Sequence, residues 1–396
     1  MSQHQDPVVI VSAARTPMGG FMSDFADLAA HDLGGVAIKA AVERAGIAPA
    51  LVEEVLFGNC LMAGQGQAPA RQALFKGGLP QSTGAVTLSK MCGAGMEATI
   101  LAHDQLIAGS REVMVSGGME SMSGAPYLLK KGRGGYRMGH DKVFDHMMLD
   151  GLEDAYEPGR SMGTFGEDCA AKYQFTREQQ DAFAIASVTR AQEAAKSGAF
   201  DAEIAPVTIK TRKGDVTVSV DEGPAKARLD KIASLKPAFR KDGTITAASS
   251  SSINDGAAAM VLMRASTAQR LGCKPLARIV GHATHAQAPE WFSTAPVGAT
   301  EKLLKKIGWQ VGDVDLWEIN EAFAVVPMAL MADLKIPHDK VNVNGGACAL
   351  GHPIGASGAR ILVTLVHALK ARGLQRGLAT LCIGGGEATA MAIELI

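Results

Sequence analysis

Several features that mark large protein classes are missing from this chain. Its six cysteines are scattered over 396 residues, which does not read as a disulfide framework. None forms a C-x-x-C pair, and no His/Cys group has the spacing of a zinc-ligand motif. No basic excess exists: 39 Lys and Arg stand against 40 Asp and Glu, a net charge of -1, so the electrostatic footprint of a nucleic-acid binder is lacking. No apolar stretch approaches the ~18 residues needed to span a bilayer. The segment from Met1 to Thr16 lacks a basic start followed by an apolar core and a cleavage site. These absences predict a cytoplasmic protein with reduced thiols and neither nucleic-acid nor membrane partners. What remains is an ordinary globular composition, 47% hydrophobic and 20% charged, long enough for two or more domains.

Glycine, by contrast, is plentiful. The chain has 45, well above the roughly 7% average, and many lie beside Cys, His and Asn, where backbone must approach a ligand closely. The chain also repeats itself. A helical stretch (36–45), Gly46 and a strand running from Val55 to Asn59 correspond to a helical stretch (300–307), Gly308 and a strand running from Leu316 to Asn320. Likewise a helix (96–108), Gly109 and a strand from Val113 correspond to a helix (359–372), Gly373 and a strand from Leu378. Both pairings share an offset of about 262 positions, which argues for duplicated α/β halves. The strands are continuous apolar runs, as in a sheet covered on both faces. The helix after Ala359 is apolar almost all round and is expected between layers. Between the halves lies a stretch of different character. It holds a basic, glycine-rich segment (130–137) and a polar helix opened by the capping box Thr176-Arg177-Glu178-Gln179. We assign 1–122 plus 252–274 to the first half, 123–251 to an inserted substrate-covering domain and 275–396 to the second half.

Three groups carry chemistry. Cys92 precedes Gly93-Ala94-Gly95 and a helix, where unpaired N–H groups and the macrodipole stabilise a thiolate, so a depressed thiol pKa is predicted. His352, in Gly351-His352-Pro353, sits in apolar, glycine-rich surroundings and is a natural base for a thiol. Cys382 ends a strand before Gly384-Gly385-Gly386, whose N–H groups can form an oxyanion hole, although a small core residue is the other reading of that cysteine. Asn320 ends the strand matching that of Asn59, facing a crevice or capping a helix. Ser249-Ser250-Ser251-Ser252 reads either as a polar turn or as hydroxyls for an amide-bearing ligand.

The four segments Cys92-Gly93-Ala94-Gly95-Met96, Asn320-Glu321-Ala322-Phe323, Gly351-His352-Pro353 and Cys382-Ile383-Gly384-Gly385-Gly386 stand in the order of the thiolase family. The chain resembles that family over essentially its whole length, most of all its biosynthetic acetyl-CoA acetyltransferases. The resemblance implies a thiolase fold of two duplicated βαβαβαββ-type halves in a layered α/β arrangement with an inserted loop domain. It implies a homo-oligomer, dimer or tetramer, with coenzyme A as substrate and product, no further cofactor and no metal. The implied reaction is reversible Claisen condensation of two acetyl-CoA to acetoacetyl-CoA and CoA, through an acyl-enzyme on Cys92. A degradative 3-ketoacyl-CoA thiolase of broader chain length is the alternative, and a non-catalytic CoA- or lipid-binding relative is a third reading. In the implied roles His352 deprotonates Cys92, and Cys382 removes a proton from the second acetyl-CoA. One oxyanion hole uses His352 with a water held by Asn320, the other the N–H groups of Cys92 and Gly384. Ser251, Met162, Phe323 and Ala322 are implied substrate contacts, and Lys226 and Arg228 are candidates for the CoA phosphates. Ser161 stands where short-chain members carry histidine, and Ser249 and Ser252 where asparagine and glycine are common, which leaves chain length open.

Overall fold

The computed structural model describes residues 6–396. Its centre is a large mixed sheet whose long strands are β1 (Val8–Arg15), β2 (Glu54–Gly58), β3 (Gly84–Leu88), β4 (Val113–Ser121), β5 (Asn254–Arg264), β6 (Ala277–Ala286), β7 (Leu316–Ile319), β8 (Arg376–Ile383) and β9 (Glu387–Leu395). Their order is β7-β8-β9-β6-β1-β5-β4-β2-β3. The expected duplication is visible in this order. Parallel pairs β2·β4 and β7·β8 are each followed by antiparallel pairs, β4·β5·β1 in one half and β8·β9·β6 in the other. Even the irregularities repeat: β1 bulges at Val11 and β6 at Val280. The halves join where β1 meets β6, pairing Val9 with Arg278 and Ile10 with Ala277.

Register also corrects the sequence alignment. Ile10 lies opposite Leu262, which faces Met114, which faces Glu54; in the other half Ile279, Ile393, Gly377 and Leu316 form the same chain. Glu54 is therefore the counterpart of Leu316, and the counterpart of Asn320 is Gly58 rather than Asn59. A one-residue slip cannot be seen in apolar runs of this kind, but ladder pairing fixes it.

Alternation along β1 and β5 sends residues to two cores. Val8, Ile10, Met260 and Leu262 face inward, while Val9, Val11, Val261 and Met263 face outward. Helix α1 (Ala30–Ala45) covers the outer face of the first half, and α5 (Ala295–Ile307) that of the second. Between the two halves of the sheet lie α2 (Ala94–Ala108) and α6 (Ile354–Arg372), packed in one shared core. Helix α6 is long and apolar enough to cross a membrane by composition alone, contrary to the sequence expectation, but 83% of its apolar window is buried inside the protein. Glycine lets α2 and α6 touch. A Cβ at Gly95 would lie 2.8 Å from the nitrogen of Ala359, and one at Gly358 would lie 2.5 Å from that of Met96.

The segment between β4 and β5 stays outside this sheet. It forms two short hairpins and the helices α3 (Met162–Tyr173) and α4 (Arg177–Ser197), the latter opened by the expected Thr176–Gln179 capping box. Buried Arg15 at the end of β1 anchors it through Glu203 at 2.5 Å and Asp221 at 2.7 Å. Its helices pack on the second half: Phe165 and Cys169 against Phe323 and Cys382, Val188 and Ala191 against Ala349 and Leu350.

Candidate active site

Cys92 lies just before α2, in a cluster with Cys60, Leu61, Met147 and Ile354. Its thiol faces two backbone N–H groups, that of Gly384 and its own, and both favour the thiolate. Burial outweighs them and pushes the thiol up to about 11. This reverses the sequence expectation. The helix start does place Cys92, but loss of water dominates the field of the first turn. All six thiols are free, and Cys60, with its thiol 3.2 Å from the Met91 carbonyl, is also raised by burial and by Glu120.

His352 opens the turn into α6 and is buried. Ser357 donates its hydroxyl proton to the Pro353 carbonyl at 2.9 Å, so it accepts from His352 Nδ1 at 2.5 Å. That bond fixes the proton on Nδ1 and leaves Nε2 as the basic nitrogen, which is buried and has no partner. Burial first and Arg360 second press the imidazole down to about 3, so it rests neutral. Asn320 is fully buried, and both atoms of its amide lack partners. Two buried polar groups without a protein partner are costly unless a ligand or water uses them. Cys382 is buried at the end of β8, its thiol raised by burial and by the nearby charge of Cys92. Ile383 abuts the Cys92 segment: a Cβ on Gly93 would lie 2.4 Å from its Cδ1. The structure thus brings Cys92, Cys382 and Gly384 together, with His352 buried at the start of α6, its Nε2 unpartnered, and the unpartnered Asn320 amide buried at the end of β7.

Among the predicted substrate contacts, Met162 opens α3 beside Gly384, where a Cβ would lie 3.6 Å from its sulfur. Phe323 is buried edge-on to Phe239, 5.6 Å between centroids, in the cluster that contains Ala322 and Cys382. Ser251 donates from its backbone and its hydroxyl to the Ala322 carbonyl, at 3.0 and 3.1 Å. The neighbouring serines serve the turn itself: Ser249 accepts from the Thr246 N–H, Ser250 donates to the Thr246 carbonyl and Ser252 to Asn254 Oδ1. The serine run is thus the polar turn of the first reading, which Ser251 ties to the loop after Asn320. Lys226 and Arg228 are exposed and already ion-paired, Lys226 to Glu222 and Arg228 to Asp230 at 3.1 Å.

Residue-by-residue reading missed Ser357 and the buried carboxylates that hold the frame. Glu120 accepts from Asn59 Nδ2 (2.6 Å) and the backbone N–H groups of Cys60, Leu61 and Gly355 (3.0, 3.0 and 2.8 Å), tying β2 to the start of α6. Glu321 accepts from Ser187 (2.7 Å), Asn342 (2.7 Å) and the Cys348 N–H (2.9 Å), tying α4 to the His352 loop. A charged residue inside a strand buried on both faces, as Glu120 is in Val113–Ser121, was the available signal.

Known proteins share this architecture end to end. Residues 8–266 match the model of the thiolase N-terminal domain, and 273–395 that of the thiolase C-terminal domain. The chain is 51% identical to an acetyl-CoA acetyltransferase of Rhizobium meliloti over 98% of both chains. It is 50% identical to that of Cupriavidus necator over 98% of this chain and 99% of the relative. Among solved structures, the Bacillus anthracis acetyl-CoA acetyltransferase superposes with a TM-score of 0.96 at 42% identity, covering 99% of each chain. A thiolase from Ascaris suum in complex with coenzyme A gives 0.94 at 43%, covering 98% of this chain and all of that one. The chain belongs to the thiolase family.

Proposed function

We propose that the protein is an acetyl-CoA C-acetyltransferase, condensing two acetyl-CoA to acetoacetyl-CoA and CoA, or running the thiolysis in reverse. The observation that carries this reading is the Cys92 thiol facing the N–H groups of Gly384 and of Cys92 beside a second buried thiol, Cys382. The names of the relatives support the choice of substrate. With the thiol near 11 and the imidazole near 3, a standing thiolate–imidazolium pair is disfavoured. The proton therefore moves to His352 Nε2 as Cys92 attacks the thioester carbon. The Cys92 and Gly384 N–H groups take the charge that forms on the thioester oxygen, and a donor of this kind is typically worth about 2.7–4 kcal/mol. The leaving CoA sulfur takes the proton back from Nε2. Cys382 then gives its thiol proton to Nε2 and, as the thiolate, takes a proton from the methyl of a second acetyl-CoA. Protonated His352 Nε2 and Asn320 steady the enolate oxygen while the carbanion attacks the acetyl carbon and expels the Cys92 sulfur, which then recovers its proton from Nε2. Coenzyme A is substrate and product, and the chain's own groups account for each proton transfer.

Met162 and Phe323 border the acyl pocket, and Ser251 meets the pantetheine arm. Lys226 and Arg228 would have to exchange their carboxylate partners for CoA phosphates. We also assign a homo-oligomer, supported by the unpaired outer edge of β3, where Val86 is 44% exposed. Thiolysis rates on four-carbon and eight-carbon 3-ketoacyl-CoA test the substrate. Equal or higher kcat/KM on the longer one would replace this reading with a broad-range 3-ketoacyl-CoA thiolase.

A further inference from the structure

The seam between β1 and β6 has a cavity on each side, and the two are counterparts. One, of about 540 Å³, is lined by Val11, Ser12, Ala13, Arg44 and His367. The other, of about 370 Å³, is lined by Val280, Gly281, His282, Lys306, His103 and Asp104. The matching bulges make Ala13 the counterpart of His282. Counted back from the C-capping glycines Gly109 and Gly373, His103 and His367 hold the same helical position. On the first side His367 Nε2 meets the Ala13 carbonyl, at 3.2 Å. On the second side His103 Nδ1 and His282 Nε2 both face Oδ1 of Asp104, at 2.9 and 3.0 Å. These three ligand atoms lie within 4.8 Å of one another. The imidazoles are largely buried, 14% and 13% exposed, while the Asp104 carboxylate opens to solvent at 56%. None of the three belongs to the site around Cys92.

We propose that His103, Asp104 and His282 bind a divalent transition metal of the zinc class, with water or an anion from the cavity as fourth ligand. Two imidazole nitrogens and one carboxylate oxygen are a zinc-type donor set, three protein ligands with an open position. Tetrahedral bonds of about 2.0–2.1 Å need donor atoms roughly 3.3 Å apart, so the exposed carboxylate would move outward and the two ring nitrogens, within 4.8 Å of each other, would settle around the ion. On binding, the ring protons facing Oδ1 shift to the opposite nitrogens. Lys306, whose ammonium donates to the His282 carbonyl at 3.0 Å, is the cation next to the cluster and favours an anionic fourth ligand. Arg278, also lining the cavity, is neutralised by Glu394. The metal would strap α2 of the first half to β6 of the second, reinforcing a seam with two strand pairings. The motif escapes a sequence scan because its third ligand comes from the other half.

Cobalt(II) titrated into chelator-treated, full-length protein tests this. One equivalent is expected, with tetrahedral d–d absorption, no thiolate-to-cobalt charge-transfer band and a rise in Tm of several degrees. His282→Asn should lose the absorption and the Tm rise, yet still form the acetyl-enzyme at the parent rate. Asp104→Asn, at an exposed position, should weaken binding roughly tenfold or more and serves if the histidine variant folds poorly. Absence of binding, unchanged binding in both variants, or a thiolate charge-transfer band that disappears on alkylation would overturn the proposal.

Discussion

Gly58 and Asn320 occupy the same place in the two halves, the end of the strand at which each sheet meets its inner helix. At Gly58 the first half is closed: a Cβ there would lie 2.6 Å from the carbonyl carbon of Ala94, so glycine lets the helix behind Cys92 sit directly on the strand. At Asn320 the second half keeps an amide with both atoms unpartnered. The neighbouring strands differ in the same sense. Glu120 of β4 ties down Asn59, Cys60 and Leu61, whereas its register counterpart in β8 is the apolar Ile383, followed by three glycines. One half therefore uses its polar groups to hold the Cys92 segment in place, and the other leaves an amide unpartnered that the proposed reaction would turn toward developing charge.

The largest effect expected belongs to the nucleophile. Cys92→Ser should lower acetyl-enzyme formation by about 10⁴-fold or more, read by mass spectrometry after exposure to acetyl-CoA. Labelling of another residue at the parent rate would break the division between halves at its root. Cys382→Ala should cut condensation by roughly 10³-fold while Cys92 still takes the acetyl group, because a general base serves only the second half-reaction. Asn320→Ala should lower kcat by on the order of 10²-fold with little change in Tm, since it removes two unsatisfied atoms. Gly58→Ala should do the opposite and cost about 1–3 kcal/mol of stability by forcing α2 off the strand. If Gly58→Ala leaves Tm unchanged and Asn320→Ala lowers it, the comparison fails.

The smallest effect is a flat line. With His352 held near 3 by burial, the rate of acetyl transfer should not fall through the ordinary imidazole range near 6.5 as pH drops from 8 to 6. An acid limb centred near 6.5 would show a solvated imidazole. The same depression makes neutral His352 a contributor to folding stability that is complete above about pH 6.5. That contribution is lost as pH falls toward about 3, because the unfolded chain binds the proton more readily.

Much of this was legible in the sequence. Glycine-flanked Cys92 and Cys382 marked two segments that the fold brings together, and repeated helix–glycine–strand units announced the halves. Three things were not. The Asn59–Asn320 match slipped by one residue, because Val55–Phe57 and Leu316–Ile319 are apolar runs whose register only hydrogen-bonded neighbours decide. The Cys92 thiol was expected to be acidic from its place before a helix, but dehydration is a property of the whole packed site and no local motif encodes it. Ser357 was read within a motif without a role, since the tautomer it fixes depends on the chain turning back at Pro353.

The pairing of Val9 with Arg278 has a consequence for how such a site can arise. It places an approximate two-fold axis inside a single chain, where an assembly of separate identical halves would have a true one. In that assembly every substitution would appear twice, and one position could not be glycine on one side and asparagine on the other. Joining the copies in one polypeptide removes that bond between sites, so each can drift alone. Gly58 and Asn320, Ala13 and His282, and Glu120 and Ile383 are three places where the two copies have used that independence.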